Sequence, residues 1–166
     1  MKSEMPYIEA KKIADSIVEL LNPHCERIEI AGSIRRQKFI IGDIEIVAIP
    51  KPFETGLFES GIATVVNKWQ KVKGELPCKY TQRILPEGIK LDLFFAEHEN
   101  WGLIFAIRTG SADYSHKILA SGWVKAGYQS RDGYLWHGRD KYSCREEIDL
   151  FKRIGLAWVD PKNRNG

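Results

Sequence analysis

The run Asp43-Ile44-Glu45-Ile46-Val47-Ala48-Ile49 constrains this chain more than any other segment. It has the composition of a buried strand, interrupted by two carboxylates two residues apart. Successive strand side chains point to opposite faces, so Asp43 and Glu45 share one face while Ile44 and Ile46 point the other way into a core. A second apolar run, Ile89-Lys90-Leu91-Asp92-Leu93-Phe94-Phe95, holds a third acid, Asp92, with Lys90 on the same face. Upstream, the strand-like Arg27-Ile28-Glu29-Ile30-Ala31 runs into Gly32-Ser33, with Arg35 and Arg36 close behind. Three acids near arginines are what a divalent-metal phosphoryl-transfer site requires.

The rest of the chain sets bounds. At 166 residues, 43% hydrophobic and 28% charged, it suits one compact domain with a smaller subdomain attached. No apolar run approaches the ~20 residues that span a bilayer, so no membrane partner is expected. Met1 to Ile8 lacks the pattern of a secretory signal. Cys25, Cys78 and Cys144 are odd in number and far apart, without CxxC or Cys/His spacing. That excludes a disulfide framework or zinc finger and favours a reducing, cytoplasmic setting. Residues 1–106 carry 14 Lys/Arg against 15 Asp/Glu, whereas 107–166 carry 11 against 7. A basic C-terminal segment suits a polyanionic partner and equally fits a solvated surface.

Periodicity predicts a mixed α/β (α+β) chain, not a regular βαβ repeat. An amphipathic helix is expected over Pro6–Leu21, with Ile13, Ile17, Leu20 and Leu21 inward and Asn22-Pro23 as its stop. A second helix is expected over Leu57–Trp69, interrupted by Gly61, and a hairpin over Lys79–Leu85 and Ile89–Ala96, turned by Pro86-Glu87-Gly88. Beyond it, Trp101–Arg108 reads as the beginning of a buried helix or a crossover, and Tyr114–Ala126 has helical spacing. Short strands surround Tyr128 and Leu135, joined by Arg131-Asp132-Gly133. A last helix is expected over Arg145–Ile154, with Ser143 as N-cap and Gly155 as stop.

The chemistry follows from residue types. Magnesium takes oxygen ligands and binds through a few carboxylates plus substrate phosphates. Two such ions clamp the attacking and leaving oxygens of a phosphoryl transfer. In that reading one ion joins Asp43 and Glu45 to a triphosphate. The other uses Asp43, Glu45 and Asp92 and acidifies an attacking 3′-hydroxyl, with Asp92 as proton acceptor. Lys90 offsets the crowding of three negative charges. Gly32 and Ser33 direct backbone amides and a hydroxyl at an anion, and Arg36, or Arg35, grips phosphate oxygens in a fork. Taken alone, a Gly-Ser-x-Arg-Arg run also fits a plain turn with surface arginines.

Gly-Ser-x-Arg-Arg, Gly-Asp-x-Glu on an apolar strand and Leu-Asp-Leu-Phe, in that order, resemble the nucleotidyltransferase palm of the family X (polymerase beta-like) DNA polymerases. Arg108-Thr109-Gly110-Ser111-Ala112-Asp113-Tyr114 resembles the family's aromatic-Thr-Gly-Ser element. Glu146-Glu147-Ile148 through Gly155-Leu156-Ala157-Trp158-Val159-Asp160-Pro161 resembles its closing subdomain. The resemblance spans nearly the whole chain and implies a palm over 1–100 and a nucleotide- and DNA-closing subdomain over 101–166. It implies that Asp43, Glu45 and Asp92 are catalytic metal ligands for two Mg²⁺ ions, and that Gly32, Ser33 and Arg36 hold the β- and γ-phosphates. Gly110 and Ser111 would lie against the incoming sugar. Tyr114 would stack near the sugar or base, or serve simply as core.

The implied activity is template-directed addition of dNTPs to a 3′-OH of gapped or primer–template DNA, as in short-gap repair, by a monomer. The alternatives are a template-independent nucleotidyltransferase and a non-catalytic module that binds DNA gaps or ends. Departures from the family pattern shape further expectations. Glu45 stands where the family usually has Asp, which predicts a slower enzyme and shifts the metal preference toward Mn²⁺. Ile107 and Arg108 replace an aromatic pair, which weakens exclusion of a ribose 2′-hydroxyl. Ser115 stands where an Asn often reads the minor groove, which predicts low fidelity. The chain begins at the palm, so no lyase domain of the family type is expected; small viral members are similarly reduced. DNA grip then falls to the basic C-terminal part and to Lys68, Lys71 and Lys73.

Overall fold

The computed structural model describes residues 3–52 and 61–165. Its contacts divide the chain into two compact units, Met1–Ala96 and Glu97–Gly166.

The first unit opens with β1 (Met5–Pro6) and α1 (Tyr7–Leu21), followed by a 3₁₀ turn at Asn22–His24 that contains Pro23. Then come β2 (Cys25–Ile30), the short helical turn α2 (Gly32–Arg35), β3 (Ile40–Ile41) and β4 (Asp43–Pro50). The unit continues through α3 (Ile62–Val66), β5 (Gln70–Lys73), β6 (Tyr80–Ile84) and β7 (Lys90–Phe95). Five strands form one mixed sheet in the order β2-β4-β7-β6-β5, in which only the β4–β7 pair is parallel. β1 and β3 form a small antiparallel ladder of their own. Helix α1 buries Ala10, Ile13, Ala14, Ile17 and Leu21, a stripe at helical spacing. These residues pack in one cluster with Ile44, Ile46, Leu91 and Leu93, the inward residues of β4 and β7. The period-2 alternation of those two strands therefore sets which residues stay on the opposite face.

Several sequence expectations are corrected here. Leu20, expected inward, is 50% exposed because it falls beside the buried stripe. The helix expected over Leu57–Trp69 is only Ile62–Val66; its start at Leu57–Ser60 lies outside the described residues. Lys71 and Lys73 lie on the exposed edge strand β5, not on a helical stretch. The reason the helix stops is Arg83 on β6, which is 2% exposed. Its Nη1 donates to the carbonyls of Val66 (3.3 Å) and Trp69 (3.2 Å). Its Nη2 donates to Gly74 O and Asn67 Oδ1, both at 3.4 Å, and its Nε to Thr81 Oγ1 at 3.0 Å. A buried cation thus collects the carbonyls at the end of α3 and of the following turn, where the helix dipole is negative.

The second unit begins with a 3₁₀ turn (His98–Asn100) and α4 (Trp101–Thr109). A continuous helical run follows: α5 (Ala112–Tyr114), a π-helical segment (Ser115–Ala120) and α6 (Ser121–Lys125). A three-stranded antiparallel sheet comes next, β8 (Gln129–Arg131), β9 (Tyr134–His137) and β10 (Asp140–Tyr142), and then α7 (Glu147–Arg153). Its core gathers Leu103, Ala106, Leu119, Trp123, Leu135, Leu150 and Phe151. Gly102 is required where α4 meets the chain at Glu146, because an added Cβ would lie 2.8 Å from the Glu146 Cα. The strand β10 was not anticipated, and the last helix is shorter than the expected Arg145–Ile154. Its N-cap is Glu146, in a capping box with Asp149, while the Ser143 hydroxyl bonds to Glu99 instead. Among the described residues no helix is long and apolar enough to cross a membrane.

Replacing Arg83 with Met should leave several buried carbonyls unsatisfied and lower stability by about 3 kcal/mol. Urea unfolding of the two proteins measures this; a loss below about 1 kcal/mol would mean that the arginine does not organise 66–74.

Candidate active site

The parallel register of β4 and β7 decides what the acids can do. Asp43 pairs with Lys90 and Glu45 with Asp92, so two carboxylates lie on neighbouring strands and the third lies two residues away on the same face. The intervening Ile44, Ile46, Leu91 and Leu93 are fully buried on the other side. Asp92 is 7% exposed and accepts two hydrogen bonds from β6, both on Oδ1: from Tyr80 Oη at 2.6 Å and from Gln82 Nε2 at 2.7 Å. Gln82 is the cross-strand partner of Asp92, and Tyr80 follows two residues along on the same face. Tyr80 is itself held by stacking on Phe94 at 4.8 Å between ring centroids. Two neutral donors fix the carboxylate's rotation. Oδ2 makes no hydrogen bond among the described residues.

Tyr80 and Gln82 were not singled out from the sequence, although a signal existed. Counting outward from the Pro86-Glu87-Gly88 turn pairs Ile84 with Lys90 and Gln82 with Asp92.

The Gly-Ser element is a helical turn. β2 ends in extended backbone at Ala31, and Gly32 takes φ +62°, a left-handed conformation that glycine adopts without steric cost. Glycine is needed there for space as well. A Cβ on Gly32 would collide with the Glu45 carboxylate, its Cδ only 2.7 Å away. The Ala31 amide donates to the Glu45 carbonyl at 2.8 Å, so β4 and the turn are joined at this residue through backbone and side chain together. Arg36 is half-buried; burial pulls its guanidinium below the ordinary value, and the charge of Glu45 works against that fall. Arg36 therefore stands on the Glu45 side of the turn. Arg35 lines a cleft of about 390 Å³ with Tyr7, Lys11 and Glu29. Of the two arginines, Arg36 is the one beside a carboxylate of the sheet face. Ser33 is half-buried at the second position of the turn, and its carbonyl accepts from the Lys38 amide at 3.0 Å.

The donor set fits a hard divalent cation: three carboxylate oxygen sources share one face, with Lys90 opposite Asp43 to moderate their repulsion. As the side chains stand, Glu45 is turned toward Gly32 and Arg36. Among the described residues, no group of three or more His, Cys, Asp or Glu side chains is gathered closely enough to enclose a metal ion. Asp43, Glu45 and Asp92 are the residues that would hold such a cation.

The second unit holds the remaining predicted positions. Helix α4 ends at Thr109, whose hydroxyl donates back to Phe105 O at 2.7 Å. Gly110 has φ +68°, and the Gly110–Ser111 peptide is cis. Ser111 caps the next helix through its Oγ, which accepts from the Tyr114 amide at 3.2 Å. Tyr114 is 5% exposed within the hydrophobic cluster of this unit, and burial raises its phenol above the ordinary range. Its position is that of a core residue. The Ser115 hydroxyl donates to Ile107 O at 2.8 Å, which commits its proton to the helix. Arg108 is exposed on the last turn of α4.

One buried charged residue was missed altogether. Arg164 is fully buried and forks onto Glu147, with Nη1 at 2.6 Å from Oε2 and Nη2 at 3.5 Å from Oε1. Its Nε donates to Val159 O at 2.8 Å, and its carbonyl accepts from the Ser111 amide at 3.0 Å. The C-terminal tail is thereby tied to the Thr-Gly-Ser segment. In sequence Arg164 is one basic residue among several, and only its burial sets it apart.

Comparison with known proteins gives fold without sequence kinship. No family model matches the sequence, and no curated protein matches it. Among solved structures, the chain is similar to polymerase beta of Leishmania infantum, described as a ternary P/T complex. The TM-score is 0.73 at 16% identity, covering 99% of this chain and 77% of that one. The fold is that of a polymerase beta-like nucleotidyltransferase.

Breaking the buried pair by Glu147→Gln should leave Arg164 uncompensated and destabilise the protein by about 3–5 kcal/mol. The double variant Glu147→Leu with Arg164→Met should recover most of that loss, and thermal unfolding of the set decides. Equal stability of Glu147→Gln and wild type would show that the pair does not hold the tail.

Proposed function

We propose that this chain is a DNA polymerase of the family X type, which adds dNTPs to a 3′-OH in short-gap repair of DNA. The observation that carries the reading is the in-register placement of Asp43, Glu45 and Asp92 on one sheet face, beside Gly32 and Arg36, within a polymerase beta-like fold. Bound divalent cations, Mg²⁺ or Mn²⁺, supply charge neutralisation of the triphosphate and acidify the attacking hydroxyl.

In the transfer, a bond forms between the primer 3′-oxygen and the α-phosphorus of the dNTP, and the bond from that phosphorus to the pyrophosphate oxygen breaks. Asp92 is the proton acceptor for the 3′-hydroxyl: Tyr80 and Gln82 occupy Oδ1 and leave Oδ2 to receive it. Asp43 and Asp92 would hold the cations. Arg36 grips phosphate oxygens, and the Gly32-Ser33 turn offers backbone and hydroxyl donors to the same group. Lys90 moderates the negative charge on the sheet face. Gly110 and Ser111 are assigned to the sugar of the incoming nucleotide by the same reading.

Glu45 has two tasks in this scheme. Its charge favours the charged form of Arg36, and it would be the third carboxylate available to the cations.

Primer extension on a one-nucleotide-gapped duplex, with all four dNTPs and Mg²⁺ or Mn²⁺, tests the proposal. Template-complementary addition is expected, with Asp43→Ala reducing the rate by several orders of magnitude. Untemplated addition would move the assignment to a tailing nucleotidyltransferase, and tight DNA binding without addition would make the chain a binding module. Glu45→Asp should change the ratio of Mn²⁺- to Mg²⁺-supported rates; an unchanged ratio would remove Glu45 from the cation ligands.

A further inference from the structure

The second unit contains a cleft of about 560 Å³ that none of the above uses. Its walls include Tyr128, His137, Asp140, Lys141, Tyr142 and Arg153, from β9, β10, α7 and the turn before β8. The aromatic groups form a connected wall. Tyr128 meets His137 edge-on at 5.6 Å and Tyr142 at 5.8 Å between ring centroids. The Arg153 guanidinium lies 4.4 Å from the centre of the Tyr142 ring and 6.0 Å from that of Tyr128. Tyr142 is locked in place because its hydroxyl donates to Asp149 O at 2.9 Å, and burial raises its phenol above the ordinary range.

Among the described residues, neither Arg153 nor Lys141 forms an ion pair, and Lys141 rests its ammonium over Tyr134 at 4.3 Å. The His137 ring makes no hydrogen bond among the described residues. Arg153 is the cation of this wall, since the Lys141 ammonium lies over Tyr134 on the other face of the three-stranded sheet. A cation held over aromatic faces suits an anion, because a guanidinium offers donors to phosphate oxygens while its plane rests on a ring. A site for inorganic phosphate has no use for three rings, and a site for an apolar ligand has no use for a guanidinium. A ligand with a planar π-system and a phosphate uses both, since stacking of a base on an aromatic side chain and a charge-assisted bond to phosphate add in one small cleft. Asp140 completes the set as an acceptor for a sugar hydroxyl or an exocyclic amine. The volume lies within the range of small-ligand clefts.

We infer that this cleft binds a nucleoside phosphate, with the base against Tyr128 and His137 and the phosphate on Arg153. Either a free nucleotide or one nucleotide of a single strand carries that chemistry. The inference stands apart from the polymerase reading, since it concerns the second unit alone and requires no catalysis.

The chain has four histidines, so the ring signals of His137 are a local reporter, identified by loss in His137→Gln. The full-length protein in EDTA, without divalent cations, is titrated with dAMP, with a 5′-phosphorylated oligothymidylate and with inorganic phosphate, and followed by NMR. Saturable movement of the His137 ring signals by dAMP or by the oligonucleotide is expected, weakened about tenfold in Arg153→Gln and unchanged in Asp43→Ala. A response to dAMP assigns the site to free nucleotides, and a much tighter response to the oligonucleotide assigns it to a strand. Inorganic phosphate acting as well as either would overturn the nucleoside part. Silence of His137, or a response that Arg153→Gln leaves intact, would overturn the site. Tyr128→Leu, checked for native unfolding, gives a second variant if Arg153→Gln fails to fold. The primer-extension outcome alters none of these readings.

Discussion

Everything in the first unit follows from two parallel strands in one register. Because β4 and β7 run the same way with Glu45 beside Asp92, negative charge is concentrated on one face of a sheet whose other face is sealed with Ile44, Ile46, Leu91 and Leu93. A one-residue slip of either strand would exchange those faces and bury the acids, so the hydrophobic cluster under α1 enforces the charge cluster above it. Like charges at that separation raise the free energy of the folded chain unless something offsets them. Here the offset is divided: Tyr80 and Gln82 donate to Asp92, Lys90 stands opposite Asp43, and Arg36 lies beside Glu45.

That division explains why Gly32 and Glu45 belong together. The carboxylate fills the space a side chain at position 32 would need, while the positive φ of Gly32 turns the chain from β2 into α2 and brings Arg36 alongside. The turn and the strand are thus one device. Any larger residue at 32 would displace Glu45, and with it the electrostatic partner that favours the charged form of Arg36.

The sequence is legible wherever a pattern is local. Alternation in Asp43–Ile49, the Pro86-Glu87-Gly88 turn and the apolar period of α1 identify these elements correctly, and the shared face of Asp43 and Glu45 follows from the pleat alone. What is not legible comes from partners distant in sequence. The parallel neighbour of β4 is supplied by a strand some forty-five residues later, and no local feature states that Glu45 meets Asp92. The truncated α3 has the same cause, since its stop is supplied by Arg83 from another strand and by nothing in 57–69 itself. Tyr114 illustrates the reverse case: a motif suggests a ligand contact, and packing places the ring in a core.

Arg83 and Arg164 show how the two units fasten their irregular segments by different chemistry. Arg83 uses its five hydrogen bonds on neutral oxygens, so its charge is spread over carbonyl dipoles at the end of a helix. Arg164 faces a carboxylate that is itself buried, which concentrates the interaction in one pair and makes each partner costly to lose. The second arrangement is the more directional. A fork on Glu147, a bond to Val159 and the carbonyl contact to Ser111 fix the position of one residue from three sides, and α7, the tail and the Thr-Gly-Ser segment meet there. A hydrophobic residue at 164 could fill the same volume but could not align three separate backbone segments. The buried charge is therefore explained by the geometry it imposes on Gly110 and Ser111.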